Sequence, residues 1–509
     1  VAIAIHWFRR DLRLGDNSAL TEAQRRYDAV LPVFVLDDAL LRRPDLGAPR
    51  IAFLLDSLAG LSRDLERLGS RLIVRHGPPA RELVDVLRAT GAAAVSVNRD
   101  YSPYSRRRDR RVRAAVEAAG ARWLECSDQL LVEPEACVKE DGAPYTVFTP
   151  FARRWRSIEK RPPERRPSLR SPGREVFDRA DGIALPGAGA LGPSLAAEIE
   201  HGGESAAQRR LDRFASRALL AYACDRDFPA KPGTSRLSAH LKFGTISVRA
   251  VFARAREVLG DDPFDLNSSR PTGDPRGSAR DRLRRESAFP NELCWRDFYQ
   301  AILFHFPHVA TGPFQRRFAG LQWPESDPEL IAAWREGRTG FPIVDAGMRQ
   351  LAATGWMHNR LRMIVAMFLT KSLLVDWRVG ERIFMQRLVD GDLAANNGGW
   401  QWCASTGTDA APYFRIFNPI AQARRFDPDG SFVRRWVPEL RTAPAKLVHE
   451  PWREAWLGSG AYPPPCVDLV ASRHRAMAVL EPYARGGATL ERIGYLRGDV
   501  RTGRQRGRC

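Results

Sequence analysis

Residues 51–74 read IAFLLDSLAGLSRDLERLGSRLIV, and their pattern decides how the first part of the chain folds. Leu54, Leu55, Leu58, Leu61, Leu65 and Leu68 recur at three- and four-residue steps, which lines one face of a helix. Gly69 stops the pattern, and Leu72 to Val74 opens a short apolar run. Glycine tolerates the left-handed backbone that closes many helices, because it has no Cβ to clash. The same punctuation returns at Gly91 and Gly120, each just ahead of another apolar run. Five runs are predicted strands: Ala2 to Trp7, Leu31 to Leu36, Leu72 to Val74, Ala94 to Val97 and Arg122 to Leu124. Runs this apolar suit a parallel sheet covered on both faces. Alternating with helices, they predict an α/β doubly wound, Rossmann-like domain over residues 1–130.

Residues 131–204 break that rhythm and read as a connector. Within 151–180 stand ten Arg or Lys against four Asp or Glu, together with Pro162, Pro163, Pro167 and Pro172. Gly187 to Gly192 formally matches GxGxxG, but a dinucleotide fingerprint needs a strand before it and a helix after it. In this Pro/Gly-rich setting it reads as linker. From 205 to 485 helical periodicity dominates, which predicts a large all-α domain. Residues 261–290 have the composition of a loop insertion. Residues 486–509, basic and Gly-rich, read as a disordered tail.

The chain has 509 residues, 44% hydrophobic and 27% charged, which excludes a disordered protein. Lys+Arg minus Asp+Glu is 79 − 60 = +19. That excess points to a polyanionic partner, nucleic acid ahead of a membrane surface. Only six of the basic residues are Lys, so an Arg-rich genome also accounts for part of the excess. Seven scattered cysteines without a CxxC give no disulfide framework and no zinc or iron–sulfur quartet. No uncharged apolar run approaches the roughly 18 residues of a membrane span. The chain opens directly on a strand, so a soluble cytoplasmic protein without a signal segment is expected.

Familiar catalytic constellations are missing: there is no GxSxG, HExxH, P-loop or EF-hand loop, and nine histidines are dispersed. His358 reads as structural. Such a chain is expected to carry its chemistry on a bound organic cofactor. Ten of thirteen tryptophans lie after residue 290, more than core packing readily uses. Between Asp390 and Trp402 stand two carboxylates, three amides, three glycines and two indoles. Carboxylates and amides can hydrogen-bond a flat heterocycle, and glycines let backbone approach it. Helix capping explains some of these residues but neither Trp400 nor Trp402. Glu292 and Trp295 are three apart, and Asn359 and Met363 four apart, so each pair shares a helix face. Taken singly, each pair also fits a capping acid, a core methionine or a surface amide.

Together, HWFRRDLRLGDNSAL, Gly233 to Ser238, ELCWRDFY, TGWMHNRLRM and DGDLAANNGGWQW through FRIFNP closely resemble the photolyase/cryptochrome family. The match runs to about residue 455 and looks most like the class I cyclobutane pyrimidine dimer DNA photolyases. The resemblance implies an α/β antenna domain, a long connector and a helical FAD domain. FAD would be held by Tyr222, Thr234, Ser235, Arg236, Leu237, Ser238, Asp390 and Asp392, with Arg362 paired to Asp390 and Asn396 facing flavin N5. Phe289 stands where some relatives place a Trp beside the flavin. Trp400, Trp377 and Trp323 match the electron-hopping triad. Trp295 and Trp402 would stack on the flipped-out dimer beside Glu292, Asn359 and Met363. Arg226, Arg360, Arg415 and Gln422 would touch flanking DNA. Repair would then proceed by light-driven electron transfer from reduced FAD, with Glu292 steadying the dimer.

The paired-His motif of (6-4) enzymes is missing around Met357 to Met363, and Asn396 is neither the Asp nor the Cys of cryptochrome branches. An antenna of the 8-hydroxy-deazaflavin type would be lined by Arg10, Phe34, Asp37, Arg50, Asp100 and Lys242. FMN and an empty pocket stay open. Folate fits less well, because Arg99 follows Asn98 where the folate subgroup carries Glu. The expected protein is a monomer acting on UV-damaged DNA. The alternative is a cryptochrome-like blue-light receptor without repair.

Overall fold

A computed structural model describes residues 1–165, 168–191, 197–260, 287–453 and 462–485. Five parallel strands form one sheet: β1 (Ile3–Phe8), β2 (Ala29–Leu36), β3 (Ile73–His76), β4 (Ala94–Asn98) and β5 (Arg122–Cys126), in the order β3-β2-β1-β4-β5. All eight residues of β2 are buried, which is why that run is apolar without alternation. Along β1 the pleat sends Ala4 and Phe8 into one helix-covered core and Ile3, Ile5 and Trp7 into the other. Doubly wound topology follows, with its switch point between the carboxyl ends of β1 and β4.

Gly69, Gly91 and Gly120 all adopt positive φ, between 69° and 82°. A Cβ at any of them would meet nothing within 4 Å, so glycine is needed there for backbone conformation alone. The leucine stripe is shorter than its spacing predicts. The helix runs Ala48–Glu66, so Leu68 falls beyond its end and is exposed, while Phe53, Leu55, Leu58, Leu61 and Leu65 are buried.

Beyond residue 197 every regular element among the described residues is helical. Ala288–His305 and Leu393–Ala404 cross so closely that a Cβ on Gly398 would lie 2.1 Å from the Tyr299 ring. The predicted loop insertion is therefore too long at its end, because 288–290 form the first turn of that first helix. Residues 261–286 of the insertion, like the tail, lie outside the described residues. The connector is also more than linker. Its helix Phe148–Ser157 buries Phe151 and Trp155 in the helical core, and Trp155 Nε1 donates to Asp297 Oδ2 at 3.0 Å. That same oxygen accepts from Leu131 and Val132 N–H. The GxGxxG match holds only a helical turn, Ala188–Leu191, with no sheet strand leading into it, and its last glycine is outside the described residues.

Sheet and helices are joined by a buried ion cluster. Arg249 pairs with Asp16 (2.9 Å) and Asp128 (2.7 Å), and Arg13 with Asp128 (2.6 Å). Burial alone would raise the Asp128 carboxyl, but Arg13 and Arg249 hold it well below the usual carboxylate range. Gly244, at φ 66°, leaves no room for a Cβ beside the Arg10 carbonyl, and Leu12 N–H donates to Phe243 O at 3.2 Å. No described helix is long and apolar enough to cross a membrane.

Candidate functional site

Asp392 ends an extended approach and caps Leu393–Ala404, its Oδ1 accepting from Ala394 and Ala395 N–H. It also accepts from Gln300 Nε2 at 3.0 Å and pairs with Arg10 Nη2 at 2.6 Å. Burial pushes its carboxyl up, but Arg10, Lys242 and Arg296 outweigh this and keep it ionised well below the ordinary range. Two residues earlier, Asp390 Oδ2 pairs with Arg362 at 2.7 Å, while its Oδ1 is buried without a hydrogen-bond partner. Asn396 donates through Nδ2 to the Glu381 carbonyl at 3.2 Å. Asn397 and Gln401, one turn apart, tie the same helix to Val309 O at 2.9 and 3.1 Å.

Glu381 is a residue that the sequence reading missed. It lies on Trp377–Arg387, accepts from Asn397 Nδ2 at 3.0 Å, and burial pushes its carboxyl up to about 7. An acid among Arg378, Arg382 and Arg387 looks like a solvent-facing partner, so nothing local marks it as buried.

Trp400 and Trp377 are fully buried in one apolar cluster, and the partly buried Trp323 packs against it. Trp400 meets Phe384 edge-on at 5.0 Å and Trp334 at 6.1 Å. Gly380 lies under it, where a Cβ would come within 2.1 Å of the indole. Tyr222 and Phe289 pack edge-on at 5.4 Å. The loop Thr234–Leu237 precedes Ser238–Phe243; in it Arg236, at φ 53°, covers Trp356 at 4.3 Å.

Glu292 and Trp295 stand on Ala288–His305, and Asn359 and Met363 on Asn359–Met367, two helices that both pack against Leu393–Ala404. Glu292 Oε1 accepts from Arg226 at 2.6 Å; burial raises its carboxyl and Arg226 opposes that. Arg360 pairs with Asp227 at 2.7 Å, approaches Met363 Sδ and lies over Phe426 at 4.4 Å. Trp402 and Met363 pack on the apolar cluster that holds Trp400. Gln422 Oε1, Arg360 Nε and His358 Nε2 are buried without partners, like Asp390 Oδ1. His358 Nδ1 caps its helix, and burial lowers the ring to about 4, which fits a neutral structural imidazole. Arg415 is exposed, and no described contact joins it to the others.

A second convergence lies at the carboxyl ends of β1, β2 and β4. Arg10 lies 3.6 Å from Asp100 and donates through Nε to Lys242 O at 3.0 Å. Asp37 caps Asp38–Leu41 and accepts from Tyr104; Phe34 lies two residues before the end of β2; Arg50 is buried and reaches Met385 O at 2.7 Å. Burial and the neighbouring Arg10 lower Lys242 to about 7. Sequence reading assigned Arg10 and Asp392 to different sites, yet one ion pair joins them.

Comparison with known proteins follows this division. A family model described as DNA photolyase matches residues 4–168, and one described as FAD binding domain of DNA photolyase matches 289–482. The deoxyribodipyrimidine photo-lyase of Halobacterium salinarum is 42% identical over 500 residues, covering 95% of this chain and 99% of that one. A class III photolyase from Agrobacterium tumefaciens superposes with a TM-score of 0.83 at 38% identity, over 95% of this chain and 98% of its own. An archaeal photolyase from Sulfolobus tokodaii, solved with two FAD molecules, gives 0.79 at 33% identity, over 94% and 100%. Likeness at this level, spread over both the sheet and the helices, makes the chain a member of the DNA photolyase family.

Proposed function

We propose that this protein repairs cyclobutane pyrimidine dimers in DNA with light. The observation that carries the reading is a set of buried polar atoms left without partners close to the aromatic side chains of the helical core. Glu292, Trp295, Asn359, Met363 and Trp402 stand on three helices and would line one pocket, and unpartnered polar atoms of Asp390, His358 and Arg360 lie at the starts of two of these helices, with that of Gln422 on the Pro419–Phe426 helix. A sensor that only absorbs light has no chemical need for such a pocket.

These residues fit FAD, the cofactor named by the family model. Asp390 keeps one carboxylate oxygen for a ligand donor while Arg362 holds the other. Asn396 is anchored at its Nδ2 by Glu381 O, so its Oδ1 is the end left to face a heterocycle. Tyr222, Thr234, Ser235, Arg236, Leu237 and Ser238 would hold the rest, with Phe289 beside the ring. When bound, reduced FAD supplies the light-driven electron for dimer cleavage. Trp400, Trp377 and Trp323 would relay electrons between that site and the surface. Glu292 would present its carboxyl to the dimer, and Trp295 and Trp402 would stack on its bases at about 1–3 kcal/mol each. Arg226, Arg360, Arg415 and Gln422 would hold the flanking strand, where phosphate contacts make binding salt-dependent.

Arg10, Phe34, Asp37, Arg50, Asp100 and Lys242 would take an antenna chromophore of the 8-hydroxy-deazaflavin type. A position at the carboxyl ends of β1, β2 and β4, beside the switch point, is where doubly wound sheets bind planar ligands. Since the Sulfolobus tokodaii relative holds two FAD molecules, a second flavin is the competing occupant.

The test is repair of a thymine-dimer oligonucleotide by purified, reduced protein in blue light and in darkness. Return of thymine absorbance in light alone is expected. Bound FAD without repair in either condition would make the chain a light sensor and refute the pocket argument.

A further inference from the structure

Trp295 has one indole face already covered. The Phe148 ring lies on it at 3.6 Å, with the planes 5° apart. Aromatic pairs usually prefer edge-on or offset contacts, and the contacts of both rings with Phe298 are edge-on, while that of Trp295 with Tyr299 is tilted. Phe148 meets Phe298 at 77°, and Trp295 meets Phe298 at 82° and Tyr299 at 30°. Phe148 is also only partly buried, whereas Phe151 and Phe298, its neighbours in the core, are buried almost completely. So flat a stack at the edge of a core is an arrangement held by its surroundings.

What holds it is the loop that follows Trp402. Phe148 N–H donates to Asp409 Oδ2 at 3.1 Å, and Thr408 Oγ1 donates to Thr146 O. The Thr408–Asp409 loop is in turn fastened to the end of the Leu393–Ala404 helix, where Ala411 N–H donates to Trp402 O at 3.3 Å. One short stretch of connector, 146–148, thus lies against Trp295 on one side and is bonded to the Trp402 loop on the other.

We propose that Phe148 is a positioning residue for the lesion, fixing the plane of Trp295 and its separation from Trp402. The inference rests on reading those two indoles as the surfaces that stack on the dimer. With one face of Trp295 filled by Phe148, a base can stack only on the opposite face, and the strut to Asp409 holds the spacing of Trp295 and Trp402 when no lesion is bound. Damaged DNA gains from this order, and intact duplex, which inserts no base, does not. Loss of the brace therefore lowers discrimination rather than general affinity.

The experiment measures dark binding of dimer-containing and undamaged duplexes by fluorescence anisotropy, with FAD content recorded for each protein. Phe148→Leu is expected to weaken dimer binding about two- to tenfold, the range of one aromatic pair. Undamaged duplex affinity and FAD content stay unchanged, and Phe148→Tyr restores the wild-type ratio. Asp409→Ala keeps the ring but releases its strut, and should move the ratio the same way even if the leucine variant folds poorly. A Phe148→Leu protein that keeps the wild-type ratio, or loses both affinities equally, overturns the role of Phe148. A wild type with no preference for the dimer overturns the repair reading instead, and this proposal with it.

Discussion

Replacing Lys371 by Met should stabilise the helical part of the protein at low pH and erase a pH dependence of its stability. Lys371 lies in the π-helical turn Phe368–Ser372 and is fully buried. Its Nζ donates to Ser405 Oγ at 2.8 Å and lies 3.4 Å from Ala404 O; no carboxylate pairs with it among the described residues. Burial lowers the ammonium from 10.5 to about 7. At about 1.4 kcal/mol per pH unit, that shift of about 3.5 penalises the charged form by about 5 kcal/mol. Unfolded chain keeps this proton up to about pH 10.5, whereas the folded protein gives it up near 7. Between those limits the unfolded state binds more protons, so wild-type stability rises with pH. Below 7 both states are charged and the full penalty applies. Met fills a similar volume without charge, but leaves Ser405 and Ala404 short of a donor, at a cost of about 1–3 kcal/mol. The variant should therefore be about 2–4 kcal/mol more stable than wild type at pH 6. That advantage should shrink by about 2–3 kcal/mol by pH 9. Urea unfolding followed by tryptophan fluorescence at pH 6, 7.5 and 9, with equal FAD loading, measures both numbers. A difference that does not change with pH, or a Met variant weaker at pH 6, would refute the reasoning.

Two further substitutions probe the joints of the fold. Asp128→Ala leaves the buried Arg13 without a carboxylate and Arg249 with Asp16 alone, and should destabilise by about 3–5 kcal/mol in the same urea assay. Gly380→Ala drives a methyl group into the Trp400 ring. If Trp400 relays electrons, light-driven reduction of bound FAD by an external thiol should slow at least about tenfold, because a displaced group loses alignment, while FAD content holds.

Features set by neighbours in sequence are legible from the residues alone. The five strands and the Gly69, Gly91 and Gly120 stops are local decisions, and each strand lies within two residues of where its sequence places it. Features decided by distant partners are not. Pro and Arg make 151–180 read as linker, yet Trp155 finds Asp297 142 residues away and turns the Phe148–Ser157 helix into core. Glu381 carries no local mark of burial; only the neighbouring Leu393–Ala404 helix, through Asn397, makes it so. Phe148 offers nothing beyond an aromatic residue near a helix start, and its stack with Trp295 exists only after the connector has docked.

The pairing of Arg10 with Asp392, 382 residues apart, has the largest consequence for how the two parts work together. Asp392 caps the helix that carries Asn396, Trp400 and Trp402, while Arg10 leaves the carboxyl end of β1 at the switch point. If the sheet shifted against the helices, this partly buried charge pair would be parted, and so would the fully buried Arg13, Arg249, Asp16 and Asp128 cluster. Parting a buried pair costs several kcal/mol, since each charge loses its partner without regaining water. Two such joints on separate elements resist both sliding and rotation. Charge pairs across the joint thus help to hold the separation of the proposed antenna and flavin sites, beside the apolar contacts of Phe243 and Val389 with the sheet-side core. An Arg10→Met variant, which keeps the bulk but not the charge, should loosen that joint before it loosens either core. Amide hydrogen exchange reads this directly: Leu12 N–H, bonded across the joint to Phe243 O, should exchange faster while the strands β1 and β4 keep their protection. Unchanged exchange at Leu12, or equal loosening of the strands, would mean that the charge pair does not help to hold the separation.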